Sequence, residues 1–355
     1  MRIDKLRKAQ SREGVGGYII TSSSNVLYYT GSTGGGILLS ILSEEELLLL
    51  TSKMNLEMIN AEAKGCKIQT YERKSLLDAL LNPLRKAEPK TIGFDTLHLE
   101  LYLDLKEKLE GFELKPKAEI ASKMRSVKDE EEISKIRRAS EIADVGMEVV
   151  RSSLRESMRE YEVAAELEYA MRKKGAEGIA FETIVGSGPR SAYPHAGCTD
   201  KQIKRGDFIV VDAGATYKGY RSDITRTFIA GHPSAEQEGI YETVLKANEG
   251  ALDEIKRGAK ARVVDARARK IITDSGYGEL FVHSLGHGIG LEVHEPPSLS
   301  RESKDTLRVG NVVTDEPGIY IAGLGGVRIE DTVLVEKEKA ERLTMFEKSL
   351  EEAII

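Results

Sequence analysis

At 355 residues the chain is longer than one hydrophobic core usually serves, so two domains are expected. The 52 Lys+Arg against 58 Asp+Glu, a net charge of −6 with no basic stripe, argue against nucleic acid and anionic membrane as main partners. Apolar runs such as residues 47–50 fall far short of the roughly 20 residues a spanning helix needs. The N-terminus MRIDKLRKAQ alternates charge instead of presenting a signal-peptide core, and a soluble cytosolic protein is expected.

Residues 1 to about 115 alternate short strand patterns, at 18–21, 36–42, 47–50, 66–70 and 91–94, with helical spacing over 1–11, 53–64, 75–87 and 98–109. This is the pattern of an α/β domain. Nothing in it carries chemistry, and His98 reads as a cap or edge residue. Between 116 and 126 the pattern breaks, and the domain boundary is placed there, giving domains 1–120 and 121–355. Ser126 is the predicted N-cap of a long amphipathic helix with Ile133, Ile136, Ala139, Ile142 and Ala143 on one face. The acids of KDEEE form a solvated first turn. Helices over 157–174, 234–257 and 261–275 follow, with strands between and after them.

Within the second domain the stretch DFIVVDAGATYKGYRSDITRTF holds two apolar, β-branched runs around a polar turn, each run carrying one carboxylate. Residues 208–211 are apolar on both faces, as in a central strand, and Asp212 buried there requires a compensating cation. An even turn at Lys218-Gly219 sets Tyr217 against Tyr220 and Asp212 against Thr225. Asp223 then shares a face with Asp212, roughly 7–8 Å away at Cα. One or two metal ions span such a gap.

Five of the six histidines lie between 195 and 294. The string FVHSLGHGIGLEVHEPP packs His283, His287 and His294 among glycines that let backbone pass close to a ligand. His283 reads equally as a partner of the ligands or as a pocket wall, and His232 as a loop residue. Cys66 and Cys198 make no CxxC, which points to no disulfide framework or thiolate site, and Cys198 reads as a half-buried thiol. Downstream, VVTDEPGIYIAGLGGVRIEDTVLV carries Glu316 and Glu330 in strand-like runs. Their even separation allows one shared face, with a bulge expected at Pro317. Asp212, Asp223, His287, Glu316 and Glu330 together form an oxygen-rich set with too much negative charge for one divalent ion.

The blocks DAGATYKGYRSDITRTF, HGIGLEVHEPP, TDEPGIYI and GGVRIED resemble those of the pita-bread dinuclear metallopeptidases, in particular the prolidase and aminopeptidase P group. The likeness covers most of 120–350, and the preceding α/β segment is similar to the creatinase-type N-terminal domain of that group. The resemblance implies an α/β N-terminal creatinase-type domain followed by an α+β pita-bread catalytic domain. It implies Asp212, Asp223, His287, Glu316 and Glu330 as ligands of two divalent ions, Mn, Co or Zn, with Asp223 and Glu330 as bridges. His195 and His294 would act on the substrate, and Glu316 would pass a proton from the metal-activated water to the departing amine.

The implied activity is cleavage of the Xaa-Pro bond of short proline-containing peptides by a metal-bridging hydroxide, of dipeptidase type, by a homodimer. Phe181 and Tyr220 are candidate pocket walls, and Arg328, two residues before Glu330, a candidate partner for a ligand or the substrate. One departure stands out: several prolidases carry an arginine after the HExP turn that clamps a dipeptide carboxylate, and here that position is Ser298, with Arg301 three residues on. An aminopeptidase acting on longer Xaa-Pro peptides therefore stays open. So does a non-catalytic peptide-binding scaffold on the same fold.

Overall fold

Leucine-rich runs such as Leu47–Ser52 bury both faces and so take interior positions in a sheet. The computed structural model describes residues 2–72 and 75–355, and the chain divides into two units, Met1–Arg125 and Ser126–Ile355. Unit one is a six-stranded mixed sheet in the order Cys66–Tyr71, Leu47–Ser52, Ile37–Ile41, Gly17–Ile20, Thr91–Phe94, Glu113–Pro116. Helices Leu76–Ala87 and Leu99–Lys108 pack Leu80, Leu84 and Leu105 onto Ile19, Leu39 and Ile92. The helix Ser23–Thr30, absent from the sequence reading, is made of weak helix formers. Its entry is held from outside by Asp95, which accepts from the Thr21 and Ser22 N–H groups (2.9 and 3.2 Å) and from Asn25 Nδ2 (2.8 Å).

Unit two opens on the helix Glu130–Ser153. Its N-cap is Asp129 and not Ser126: Asp129 accepts from Glu132 N at 2.9 Å while the Glu132 carboxylate accepts from Asp129 N at 3.1 Å. This reciprocal box satisfies two orphan donors where a serine cap satisfies one. The Ser126 carbonyl instead accepts from Asn311 Nδ2.

The hairpin strands Phe208–Ala213 and Ile224–Ile229 pair with Asp212 opposite Thr225, and beyond them Tyr217 lies opposite Tyr220. Ile209, Val211 and Ala213 face the core under helices Glu130–Ser153 and Glu160–Lys173, while Phe208 joins the core under Ala235–Leu252 and Ala261–Asp274. By the two-residue alternation of a strand, Asp212 shares the Phe208 side, away from Val211. The remaining sheet runs Glu295–Leu299, Gly286–Gly288, Val312–Asp315, Asp331–Val335, Ala340–Arg342, and the ribbon Gly318–Ile321 with Gly325–Arg328 branches from it. No described helix is long and apolar enough to cross a membrane.

Candidate metal centre

Backbone pairing brings the acids together. Asp315 pairs with Asp331 and Gly318 with Arg328, so Glu316 and Glu330 face each other where Pro317 interrupts the ladder. There each finds another partner for its N–H: Glu316 donates to Leu285 O (2.9 Å) and Glu330 to Thr225 O (3.0 Å). The second bond makes Thr225 and Glu330 a β-bridge, which fastens the ribbon to the hairpin carrying Asp212 and Asp223. His287 arrives on Gly286–Gly288, whose close approach requires glycine, since a Cβ at Gly286 would lie 2.1 Å from the Thr314 carbonyl oxygen.

His287 Nε2 lies 3.3 Å from Glu316 Oε1 and 3.9 Å from Asp223 Oδ2, and ligand atoms of Asp223, His287 and Glu330 all fall within 4.8 Å of one another. Nδ1 of His287 is 3.1 Å from the Gly288 carbonyl, which places the proton there and leaves the Nε2 lone pair facing the acids. Each remaining carboxylate has an orienting contact. Arg328 Nη2 donates to Asp212 Oδ2 at 2.6 Å, Thr225 Oγ1 to Glu330 Oε2 at 2.6 Å, and Thr314 Oγ1 to Glu316 Oε1 at 3.0 Å.

Arg328, 3% exposed, also donates to the Tyr320 hydroxyl at 2.9 Å, and that hydroxyl lies 2.8 Å from His283 Nε2. Since His283 Nδ1 sits 2.8 Å from the Ser284 carbonyl, Tyr320 donates to His283 and accepts from Arg328. His283 thus reaches Asp212 through two intermediates and also lines an open cleft of about 520 Å³ that holds Arg301.

The electrostatics are those of anions without enough cations. Burial, followed by the charges of Glu330, Asp212 and Glu316, raises the Asp223 carboxyl well above its ordinary range. Glu330 is raised well above its range by burial and by Glu316 and Asp212, and burial pushes Glu316 up to about 7. Burial lowers His287. Among the described residues, two buried oxygens of the site, Asp212 Oδ1 and Asp223 Oδ1, have no hydrogen-bond partner. Unpaired buried carboxylate oxygens are costly, and these belong to the same group that holds the free imidazole nitrogen. The donor set fits divalent ions, and four carboxylates with one neutral imidazole suit two of them.

Of the other residues considered, His294 stacks edge-on against His287, ring centroids 4.2 Å apart. His195 is exposed in the turn after residues 188–192, close enough to act electrostatically on Glu316, His283 and His294. Phe181 is half-buried and packs by Gly214, where a Cβ would meet its ring at 3.0 Å. Tyr220 has a partner that the sequence reading did not name. It is 3% exposed with its hydroxyl donating to Glu132 at 3.0 Å, because a buried phenol needs an acceptor, and through this bond it supports the long helix. Arg301 is exposed and stands by His283, while Ser298 pairs with His287 and donates its N–H to Asp305. Tyr320, Thr225 and Thr314 are the residues of the site to which sequence reading gave no role. Tyr320 sits in the ribbon two residues after Gly318, and no spacing signal separates it from an ordinary strand tyrosine.

Residues 134–337 match metallopeptidase family M24, and residues 2–127 match the Creatinase/Prolidase N-terminal domain. An Xaa-Pro dipeptidase of Pyrococcus furiosus is 44% identical over 299 residues, 84% of each chain. The solved structure of an Xaa-Pro dipeptidase from Bacillus anthracis superposes with a TM-score of 0.95 at 39% identity, covering 100% of this chain and 99% of that one. An X-Pro aminopeptidase from Thermotoga maritima superposes with a TM-score of 0.89 at 37% identity, covering 98% and 100%. With its acids, its imidazole and both domains accounted for, the chain belongs to metallopeptidase family M24, whose members work with two divalent metal ions, and it carries the creatinase-type N-terminal domain in front.

Proposed function

We propose that the protein is a two-metal Xaa-Pro dipeptidase, releasing the first residue from short peptides whose second residue is proline. The observation that carries this reading is the set of unpartnered buried oxygens of Asp212 and Asp223 among Glu316, Glu330 and the free Nε2 of His287. The likeness to Xaa-Pro dipeptidases supplies the substrate class. Asp212, Asp223, His287, Glu316 and Glu330 would hold the ions, with Asp223 and Glu330 shared. Bound there, two divalent ions polarise the scissile carbonyl and bring the pKa of water near neutral.

The chain's own residues do the rest. Glu316, whose Oε1 is oriented by Thr314, takes a proton from the attacking water and delivers it to the departing proline nitrogen. His195 and His294 hydrogen-bond the substrate carbonyl and steady the negative oxygen as it forms. Arg328 holds Asp212 in place. Phe181 offers an apolar wall for the ring of a residue that has no N–H for strand-type docking.

A second reading, an Xaa-Pro aminopeptidase, is favoured by Ser298, which stands where a carboxylate-clamping arginine is expected, and by the likeness to an X-Pro aminopeptidase. Ala-Pro and Ala-Pro-Ala assayed with Mn²⁺ or Co²⁺ separate the two. Faster turnover of the dipeptide, abolished by chelator, is expected. Preference for the tripeptide selects the second reading, and no cleavage with any metal leaves a peptide-binding scaffold. Asp223→Asn is expected to remove metal and activity together, and full activity in that variant rejects the ligand set.

The proposal assigns a creatinase-type role to about 1–120 and catalysis to 121–355, supported by the two units and by the matched ranges. It includes a cytosolic homodimer using manganese, cobalt or zinc, supported by the family resemblance. Light scattering on purified protein tests the dimer, and a monomeric mass rejects it.

A further inference from the structure

Directly behind the two glutamates lies a buried charge cluster that the mechanism does not use. Asp315 immediately precedes Glu316, Asp331 immediately follows Glu330, and the two aspartates are register partners, so their side chains share one face of the sheet. They are 0% and 1% exposed.

Asp331 is saturated. Its Oδ1 accepts from Arg226 Nη2 at 2.8 Å and Thr344 Oγ1 at 3.1 Å, its Oδ2 accepts from Lys348 Nζ at 2.8 Å, and Arg342 Nε lies 3.2 Å from Oδ2. Among the described residues, neither side-chain oxygen of Asp315 has a hydrogen-bond partner. What links the two is Asn248. Its Nδ2 donates to the Asp315 carbonyl at 3.0 Å, and its Oδ1 accepts from Lys348 Nζ. An ammonium carries three donors, and two of those on Lys348, itself 7% exposed, are committed to Asn248 and Asp331. Through them the ammonium reaches the Asp331 side chain directly and the Asp315 backbone by way of Asn248.

We propose that Lys348, from the C-terminal segment, is a positioning residue for the metal centre. By these two bonds one ammonium ties together the residues adjoining Glu316 and Glu330, Asp331 directly and Asp315 through Asn248, and thereby sets the spacing of those two carboxylates. The proposal rests on the ligand assignment above. Its sign distinguishes it from a simple field effect, because removing a positive charge from behind bound cations would, through space alone, tighten them.

The test is calorimetric titration of Mn²⁺ into chelator-treated full-length protein, with melting curves recorded beside it. Lys348→Met is expected to weaken Mn²⁺ binding roughly 10- to 100-fold, the range for losing a group that orients a metal ligand, and Lys348→Arg to recover most of the loss. Lys348→Met combined with Asn248→Ala is expected to be less than the sum of the two single changes, since Lys348 reaches Asp315 through Asn248. Unchanged or tightened Mn²⁺ affinity in folded Lys348→Met overturns the proposal, even if the melting temperature falls. Should Lys348→Met fail to fold, Lys348→Gln decides by the same criterion. Asp223→Asn, run alongside, separates the two failures: metal retained there rejects the ligand set, whereas metal lost there but kept by Lys348→Met rejects only the role of Lys348.

Discussion

Arg328 shows how one side chain can be read in two ways until its contacts are known. It is 3% exposed and bonded to Asp212, Tyr320 and Thr225, so replacing it strands a buried carboxylate. Arg328→Met is expected to cost about 3–5 kcal/mol of stability in the metal-free chain by urea denaturation, as for a broken buried ion pair. Arg328→Lys is expected to restore little, since an ammonium cannot reproduce a planar fork serving three acceptors. A variant within about 0.5 kcal/mol of the parent would show that Asp212 needs no such partner.

The carboxylates also set a pH dependence. A group whose pKa is higher folded than unfolded binds its proton more tightly when folded, so its contribution is present below the unfolded value and is lost as pH rises through the folded one. Glu316, raised to about 7 by burial, behaves this way, and Asp223 and Glu330 add to it. His283, lowered to about 4 by burial, works in the opposite direction, but only below its ordinary value near 6.5. Between pH 7 and 8.5 the melting temperature of chelator-treated protein is therefore expected to fall. A flat or rising curve would mean that the acids are compensated without metal.

At the scale of elements, the hairpin depends on Gly214, between Phe208–Ala213 and Ala215–Tyr217, where an added Cβ would lie 2.0 Å from the Ser222 carbonyl oxygen. The obstacle is backbone, which cannot swing aside as a side-chain tip can. Gly214→Ala is expected to cost about 1–3 kcal/mol or more and to disturb the Asp212–Asp223 relation, read as reduced Mn²⁺ affinity with a lowered melting temperature. At the helix Glu130–Ser153, Asp129→Ala is expected to cost about 1 kcal/mol, and Ser126→Ala much less. The sequence supports either cap, because Ser126 and Asp129 both precede acids. The choice falls to Asp129 because Glu132 can answer it and because the Ser126 carbonyl is held by Asn311, 185 residues away.

For the whole molecule, metal that binds only the folded chain stabilises it by mass action. Free Mn²⁺ at about 100 times its dissociation constant is expected to add roughly 2.7 kcal/mol per site, seen as a higher melting temperature that chelator reverses. No shift with Mn²⁺, Co²⁺ or Zn²⁺ would deny the metal centre.

The creatinase-type and pita-bread classes were legible because the motif blocks sit in unbroken runs, and the hairpin register followed from local parity: an even turn determines which residues face each other. Ser23–Thr30 was not legible, since its residues are poor helix formers and Asp95, some seventy positions on, holds its entry. The convergence of the acids on His287, the Tyr220–Glu132 bond, the Arg328–Tyr320–His283 chain and the burial of Asp315 were decided only by the tertiary structure. Turn parity, alternation and capping act over a few residues and are written in order along the chain. Burial and charge compensation depend on which distant groups arrive in the same few ångströms, and that is known only once the sheets have closed.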